Sequence, residues 1–269
     1  MFYVNVERGV KLAVYDLNPA GKKTVFLIHG WPLNHSMFEY QLDLLPKLGF
    51  RCISVDLRGF GNSDAPWDGY GYDRLADDIH EIIRMIGVST MMLAGFSMGG
   101  AIAIRYMARH KEYKISRLAL LSAAAPCFVS RAECPGGLPL EQVNSLIAQI
   151  GRNRPQALYD FGENFFAQPI TPPFGEWFRS VTLSGPGYST LKTAETLRDA
   201  DLRADLSHIT VPTGIFYGAL DKICPEGLPL ALNRGILNSK LFRFQKSGHA
   251  VFYDELEKFN QEFSSFLTG

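Results

Sequence analysis

Six short apolar runs separated by helical patterns constrain this chain more than any other feature: Thr24–His29, Arg51–Leu57, Thr90–Phe96, Ser116–Ser122, Thr213–Tyr217 and Lys240–Phe244. Most are unbroken rather than alternating, the pattern of parallel strands covered on both faces. Between them apolar residues recur at helical spacing, as in Leu75, Ile79, Ile82, Ile83 and Ile86, and again in Phe252, Leu256, Phe259, Phe263 and Phe266. This alternation predicts right-handed crossovers and an α/β architecture, a mostly parallel, twisted sheet with helices on both faces. Ahead of it, Val4, Val6, Leu12, Val14 and Leu17 flank a turn at Arg8-Gly9 and read as a hairpin.

One stretch breaks the rhythm. Residues 126–205 hold no convincing strand but four helical pieces punctuated by Pro and Gly: Pro139–Gly151, Arg154–Ala167, Phe174–Leu183 and Ser189–Leu202. The segment is rich in aromatics, among them Phe128, Tyr159, Phe161, Phe165, Phe166, Trp177 and Tyr188. It reads as a helical cap inserted in a core made of residues 1–125 and 206–269, lying over the C-terminal ends of the strands. Most of its rings are expected to glue it to the sheet, since large rings are usually buried.

Composition narrows the partners. Lys+Arg and Asp+Glu are 27 each, and a chain without basic excess is a poor match for nucleic acid. No apolar stretch approaches the roughly 20 residues that cross a bilayer, and the N-terminus alternates like a strand rather than a leader peptide. Cys52, Cys127, Cys134 and Cys224 show no CxxC spacing and are expected as reduced thiols in a cytoplasmic protein. Nothing in the pattern excludes a homo-oligomer.

The chemistry centres on Gly95-Phe96-Ser97-Met98-Gly99. A G-x-S-x-G pentapeptide arises easily by chance, so its setting must carry the reading. Here a buried strand precedes it and the helix Ala101–Arg109 follows, which puts Ser97 on a sharp strand-to-helix turn where side chains at the two glycines would clash. A serine hydroxyl needs a base to take its proton. His249 follows the last strand and precedes the last helix, where a loop returns over the sheet edge. His35, His80 and His110 fall on helix patterns, His208 in a polar loop, and His29 ends a strand, where it is expected to support its own loop. Asp221 ends the strand before the His249 unit and gives the order Ser97…Asp221…His249. Asp56 also ends a strand, but is expected to bond loop N–H groups or Arg58. The N–H of Met98, directly after the nucleophile, and that of Trp31 in His29-Gly30-Trp31-Pro32 are the natural pair of oxyanion donors, because Pro32 has none. No His/Cys ligand spacing for a metal is present, and Gly21-Lys22-Lys23-Thr24 fails as a phosphate loop because Asp16 stands where the first glycine belongs.

Taken in order, His29-Gly30-Trp31-Pro32, Asp56-Leu-Arg-Gly-Phe-Gly-Asn-Ser63, Gly95-Phe-Ser-Met-Gly-Gly100, Gly218-Ala-Leu-Asp221 and Gly248-His249 resemble the α/β-hydrolase superfamily. With Tyr72-Asp73-Arg-Leu-Ala-Asp-Asp78 and the length of the cap, the chain is similar to its bacterial arylesterases and cofactor-free haloperoxidases, or perhydrolases. The resemblance implies the α/β-hydrolase fold and a Ser97/Asp221/His249 triad. It also implies Trp31 and Met98 as the oxyanion hole, no cofactor or metal, and a small ester as the partner. It places Phe128, Phe165 and Ile223 where the family lines its acyl pocket. Gly-His-Ala stands here where the family often has Pro-His-Gly. Pro32 orients the Trp31 carbonyl, which is one route to favouring peroxide over water as the attacker of an acyl-enzyme; the other is that Pro32 only stiffens the loop. Lactonase, C–C bond hydrolase and aminopeptidase share this machinery. So does a small-molecule receptor of slow turnover. Haloalkane dehalogenases and epoxide hydrolases are disfavoured, since they carry Asp where this chain has Ser97.

Overall fold

A computed structural model describes residues 1–269. Its strands are β1 (Phe2–Glu7), β2 (Val10–Leu17), β3 (Lys23–Ile28), β4 (Phe50–Val55), β5 (Met91–Phe96), β6 (Ile115–Leu121), β7 (Thr213–Gly218) and β8 (Ser239–Phe244). They form one sheet in the order β1-β2-β4-β3-β5-β6-β7-β8. β1 and β2 pair antiparallel, β2 meets β4 antiparallel, and every pairing from β4 to β8 is parallel. The six apolar runs become β3 to β8 with ends moved by a residue or two. In the hairpin Val4, Val6, Leu12 and Val14 are buried as their spacing requires, whereas Leu17 lies exposed at the strand end.

β5 and β7 are buried at all six positions. Successive side chains of a strand point to opposite faces, so both faces must be covered, and the unbroken runs are explained. The chain leaves β3 to one side, toward β4, and resumes at β5 on the other. That reversal opens a crevice beyond the C-terminal ends of β3 and β5, the usual place for a ligand in such a sheet.

The helices are α1 (Glu39–Leu44), α2 (Tyr72–Ile86), α3 (Met98–Arg109), α4 (Leu140–Gly162), α5 (Pro172–Thr182), α6 (Gly187–Asp199), α7 (Arg203–Leu206), α8 (Gly227–Gly235), α9 (Val251–Asp254) and α10 (Leu256–Thr268). α2 buries Leu75, Ile79, Ile82 and Ile83. α10 brings Phe259, Phe263 and Phe266 around Phe216 of β7, with ring centroids 5.9, 5.8 and 5.8 Å away. No helix is long and apolar enough to cross a membrane. All four cysteines are free and buried.

Two departures from the expected helices bear on the site. The stripe from Phe252 to Phe266 is not one helix but two, broken at Glu255 (φ −120°, ψ 55°). The pieces expected at Pro139–Gly151 and Arg154–Ala167 instead form the single, bent α4. It is non-helical at Asn153 (φ −153°, ψ 82°), just before Pro155, whose ring and missing N–H cannot continue a regular turn. Its second half stops at Gly162, so Phe165 lies past the helix. α4 to α7 are fastened over the loops that follow β3 and β4. The Trp31 indole N–H donates to the Thr190 carbonyl at 3.0 Å, Asn34 Nδ2 to Ser184 Oγ at 3.1 Å, and Ser189 Oγ to the Gly59 carbonyl at 2.8 Å.

Candidate active site

Ser97 sits between β5 and α3 at φ 51°, ψ −115°, a conformation that non-glycine residues adopt only when their surroundings impose it. Neighbouring chain does impose it. A Cβ on Gly95 would collide with the Gly99 carbonyl, and one on Gly99 with the carbonyl of Ile28 and, at 2.5 Å, that of His29. The Ser97 N–H donates to the Leu121 carbonyl at 2.9 Å, while its carbonyl accepts from Gly100 and Ala124, both at 3.0 Å. The turn is therefore held from both sides, and Ser97 is presented at the mouth of α3. The Met98 N–H, at the first position of that helix, has no intrahelical acceptor. The Trp31 N–H, in the loop after β3, likewise donates to no backbone carbonyl. Pro32 follows Trp31 through a cis peptide bond.

His249 is fully buried, and its Nδ1 lies 2.9 Å from Asp221 Oδ2. The other Asp221 oxygen accepts from the N–H groups of Ile223 and Cys224, each at 2.8 Å, so the carboxylate is fixed by its own loop. His249 Nε2 is buried and has no hydrogen-bond partner. Phe96 and Phe165 flank the imidazole, with centroids at 4.8 and 5.0 Å. The loop reaches this place because Gly218, at the end of β7, has no side chain to obstruct the Ser247 and Gly248 carbonyls passing over it.

Two acids that sequence reasoning missed tie this loop down. Asp254 accepts from the N–H of Gly248 at 2.7 Å, of Ala167 at 2.9 Å and of Gln168 at 3.2 Å. Glu255 accepts from the Lys246 N–H and the Ser247 hydroxyl, both at 2.8 Å. The helix break at Glu255 is thus where both carboxylates turn back to hold the neighbours of His249. Burial raises the Asp254 carboxyl above its ordinary range, and its three backbone donors oppose that shift.

The two rival residues have other tasks. His29 is fully buried, with Nδ1 2.8 Å from the Gly30 carbonyl and Nε2 accepting the Leu57 N–H at 2.9 Å. Burial pushes its pKa down to about 4, so it is a neutral strut between two loops. Asp56 accepts from the His35 N–H at 2.9 Å, His35 Nδ1 at 2.7 Å, the Asn62 N–H at 2.8 Å and the Tyr15 hydroxyl at 3.1 Å. Burial alone would raise its carboxyl, but His35 and the Asn62 N–H outweigh burial and hold it below the ordinary value. Of the two partners offered for Asp56 the loop N–H groups are found, and Arg58 instead pairs with Asp78 at 2.5 and 2.6 Å and with Glu7 at 2.9 Å. Both Arg58 and Asp78 are buried, and a buried guanidinium needs a bidentate carboxylate.

An apolar cavity opens on Ser97, lined by Trp31, Phe128, Val143, Leu146, Phe161, Ala194, Leu197 and Ile223. It leaves about 10 Å³ free, room for a single water at most. Phe128 and Ile223 are among the side chains that line it with Ser97. Phe165 does not line this cavity. Beyond the end of α4 the chain turns back, the Phe165 carbonyl accepts the Ala250 N–H at 2.8 Å, and the ring stacks edge-on against His249. Phe161, one helical turn earlier, takes the position at the cavity. Val143 and Leu146, at i and i+3 on α4, were legible only as a helix face. Asp221, Cys224 and His249 bring possible metal-ligand atoms within 4.8 Å of one another. However, both Asp221 oxygens are engaged as described, so the group is an Asp–His pair with a thiol beside it rather than an open ligand set.

Comparison with known proteins places this geometry. Residues 23–140 match the family model described as alpha/beta hydrolase fold. The chain is 47% identical over 264 residues, 98% of each chain, to the AB hydrolase superfamily protein YisY of Bacillus subtilis (strain 168). It is 28% identical to the bifunctional esterase/perhydrolase DCH of Acinetobacter calcoaceticus, covering 99% of both. Among solved structures an esterase from Exiguobacterium antarcticum superposes with a TM-score of 0.96 at 40% identity, over 99% of each chain.

Proposed function

The chain belongs to the α/β-hydrolase superfamily, and we propose that within it the protein is a serine carboxylic-ester hydrolase working through an acyl-enzyme on small aryl or alkyl esters. The observation that carries this reading is the state of His249. Asp221 locks Nδ1, which fixes the tautomer, and leaves Nε2 as a buried, unpartnered acceptor on a ring 4.8 Å from that of Phe96, the residue before Ser97. A buried nitrogen without a partner costs free energy and calls for an explanation, and taking the Ser97 proton supplies one.

The steps follow from the groups present. Ser97 Oγ attacks the ester carbonyl as His249 Nε2 takes its proton, and Asp221 stabilises the imidazolium without itself gaining a proton. The oxyanion that forms accepts from the Trp31 and Met98 N–H groups, which no protein acceptor competes for. His249 returns the proton to the leaving alkoxide, and the acyl group remains on Ser97 beside Phe128 and Ile223. Water, deprotonated by His249, then releases the acid. Three relations support ester chemistry: the esterase of Exiguobacterium antarcticum, the esterase/perhydrolase of Acinetobacter calcoaceticus, and the apolar cavity against Ser97.

The test is a p-nitrophenyl ester series of increasing acyl length with Ser97→Ala as control. Steady turnover of the short esters that vanishes in Ser97→Ala is expected; activity that survives in Ser97→Ala would sink the reading, and a burst without turnover would turn it toward a receptor. A perhydrolase side activity is supported by the named relative and by Pro32 next to the Trp31 carbonyl. Pro32→Leu is expected to lower the ratio of perhydrolysis to hydrolysis, measured on one ester with and without peroxide, and an unchanged ratio removes Pro32 from that role.

A further inference from the structure

The larger cavity near the site is not the one at Ser97. It is an open groove of about 440 Å³ in the elbow of α4. Gln142, Ser145 and Gln149 come from the half of α4 before the bend, Asp160 from its other half, Asn164 from just past its end, and Lys222-Ile223 from the turn after the catalytic acid. Val143, Leu146, Phe161 and Ile223 line both this groove and the apolar cavity on Ser97. The two spaces therefore adjoin at these four side chains: one has Ser97 in its lining, the other is a trough of mixed polar and apolar lining. From this arrangement, and resting on the ester-hydrolase reading above, we infer that the groove binds the alcohol portion of the substrate, and that this portion is an uncharged polyhydroxylated group such as a sugar, carrying a short acyl chain.

The two cavities ask for different chemistry. The space at Ser97 is apolar and only about the size of one water, so an acyl group enters only if it is short and the lining side chains give way. The groove is larger and mixed, with Leu138 and Ala157 beside the four shared apolar side chains and a set of polar side chains among them. An alkyl leaving group there would strip water from amides, a hydroxyl, a carboxylate and an ammonium without replacing their hydrogen bonds. An anionic group would gain Lys222 but face Asp160 across the same trough. A sugar hydroxyl both donates and accepts. The groove offers both: donors in Lys222 and the Gln142 amide, and acceptors in Asp160, which already takes Gln156 Nε2 at 2.8 Å on one oxygen and leaves the other open. Gln149 Nε2 spends one donor on Ser145 Oγ at 3.2 Å and keeps its carbonyl oxygen. Gln142, Gln149, Asp160, Asn164 and Lys222 are all exposed, so they are hydrated until a ligand replaces that water.

The experiment compares kcat/KM for three acetates of primary alcohols: methyl 6-O-acetyl-glucopyranoside, n-hexyl acetate and 6-acetoxyhexanoate, with p-nitrophenyl acetate as a reference that does not fill the groove. The sugar ester is expected to exceed the hexyl ester by about tenfold or more, the scale that a few satisfied polar contacts supply. The double variant Gln142→Leu/Lys222→Met, at two exposed positions, is expected to lower the sugar-to-hexyl ratio by a similar factor. A ratio near one, a preference for the hexyl ester, or a ratio unmoved by the double variant overturns the inference. So does the carboxylate ester being fastest. In each of these cases turnover of p-nitrophenyl acetate leaves the ester-hydrolase reading standing; no turnover of any ester, including the reference, removes that reading and this inference together.

Discussion

Two fully buried histidines stand at the sheet's C-terminal edge, one after β3 and one after β8, and they differ in a single lone pair. His29 uses both nitrogens, one toward the Gly30 carbonyl and one for the Leu57 N–H. His249 uses only Nδ1, toward Asp221, and its Nε2 has no partner. Burial is the same, and position is nearly so. In the function proposed above, what separates a strut from a base is whether the protein completes the ring's hydrogen bonds or leaves one for the reaction. The anchoring differs in kind as well. His29 is bonded directly to its neighbours, whereas His249 is placed by second parties, Asp221 in front and Asp254 and Glu255 behind.

The sharpest way to break this comparison is to delete each ring. His249→Ala is expected to lower kcat on p-nitrophenyl acetate by about 10⁶-fold with little change in KM, because base and nucleophile act as a unit. His29→Ala leaves the Asp221–His249 pair in place, so its main effect is expected on the melting temperature, where a buried Leu57 N–H loses its acceptor. Steady-state kinetics beside thermal melts on both variants decide the matter. If His29→Ala costs as much in kcat as His249→Ala while remaining folded, the roles are misassigned.

Legibility followed how local the cause was. Ser97 was readable because its strained turn demands glycines at fixed offsets, and the collisions at Gly95 and Gly99 are the physical form of that demand. The strands were readable because burial on both faces leaves unbroken apolar runs. The break at Glu255 was not, because the stripe from Phe252 to Phe266 keeps its helical spacing across it. What interrupts the helix is a pair of carboxylates bonding to residues 246–248 and 167–168, contacts that exist only after folding. Phe165 stood at the pocket only by resemblance; in the structure the chain past Gly162 sets its ring against His249, a contact that no local pattern announces. The groove of α4 depends on the bend near Pro155; the sequence announces the proline, but not which side chains the two halves then bring face to face.

Acid titration sharpens the comparison further. His29 titrates at about 4 in the folded chain because burial disfavours its charged form, against roughly 6.5 when unfolded. Between these values the unfolded state holds more protons, so stability must fall as pH drops from about 6.5 toward 4, by roughly 3 kcal/mol in all. Glutamine at position 29 keeps an acceptor for the Leu57 N–H but cannot titrate. His29→Gln is therefore expected to flatten this part of the stability curve, measured by urea unfolding at half-unit pH steps. An identical slope in wild type and variant would mean that His29 is accessible to protons in the folded state.

The smallest of these effects tests the support behind His249. Asp254 accepts three backbone N–H groups with two carboxylate oxygens. Asparagine keeps one oxygen and turns an amide N–H₂ toward at least one donor, so either the Gly248 and Ala167 bonds, which share Oδ2, or the Gln168 bond to Oδ1 must be lost. Losing the Gly248 bond lets the peptide before His249 shift while Asp221 still holds Nδ1. Small misplacements of a catalytic group lower rate more than binding, so Asp254→Asn is expected to reduce kcat by about tenfold and leave KM nearly unchanged. A purely structural role would lower the melting temperature and leave kcat of the folded fraction intact. Measuring both separates the two, and an unaltered kcat would assign the positioning of His249 to Asp221 and Glu255 alone.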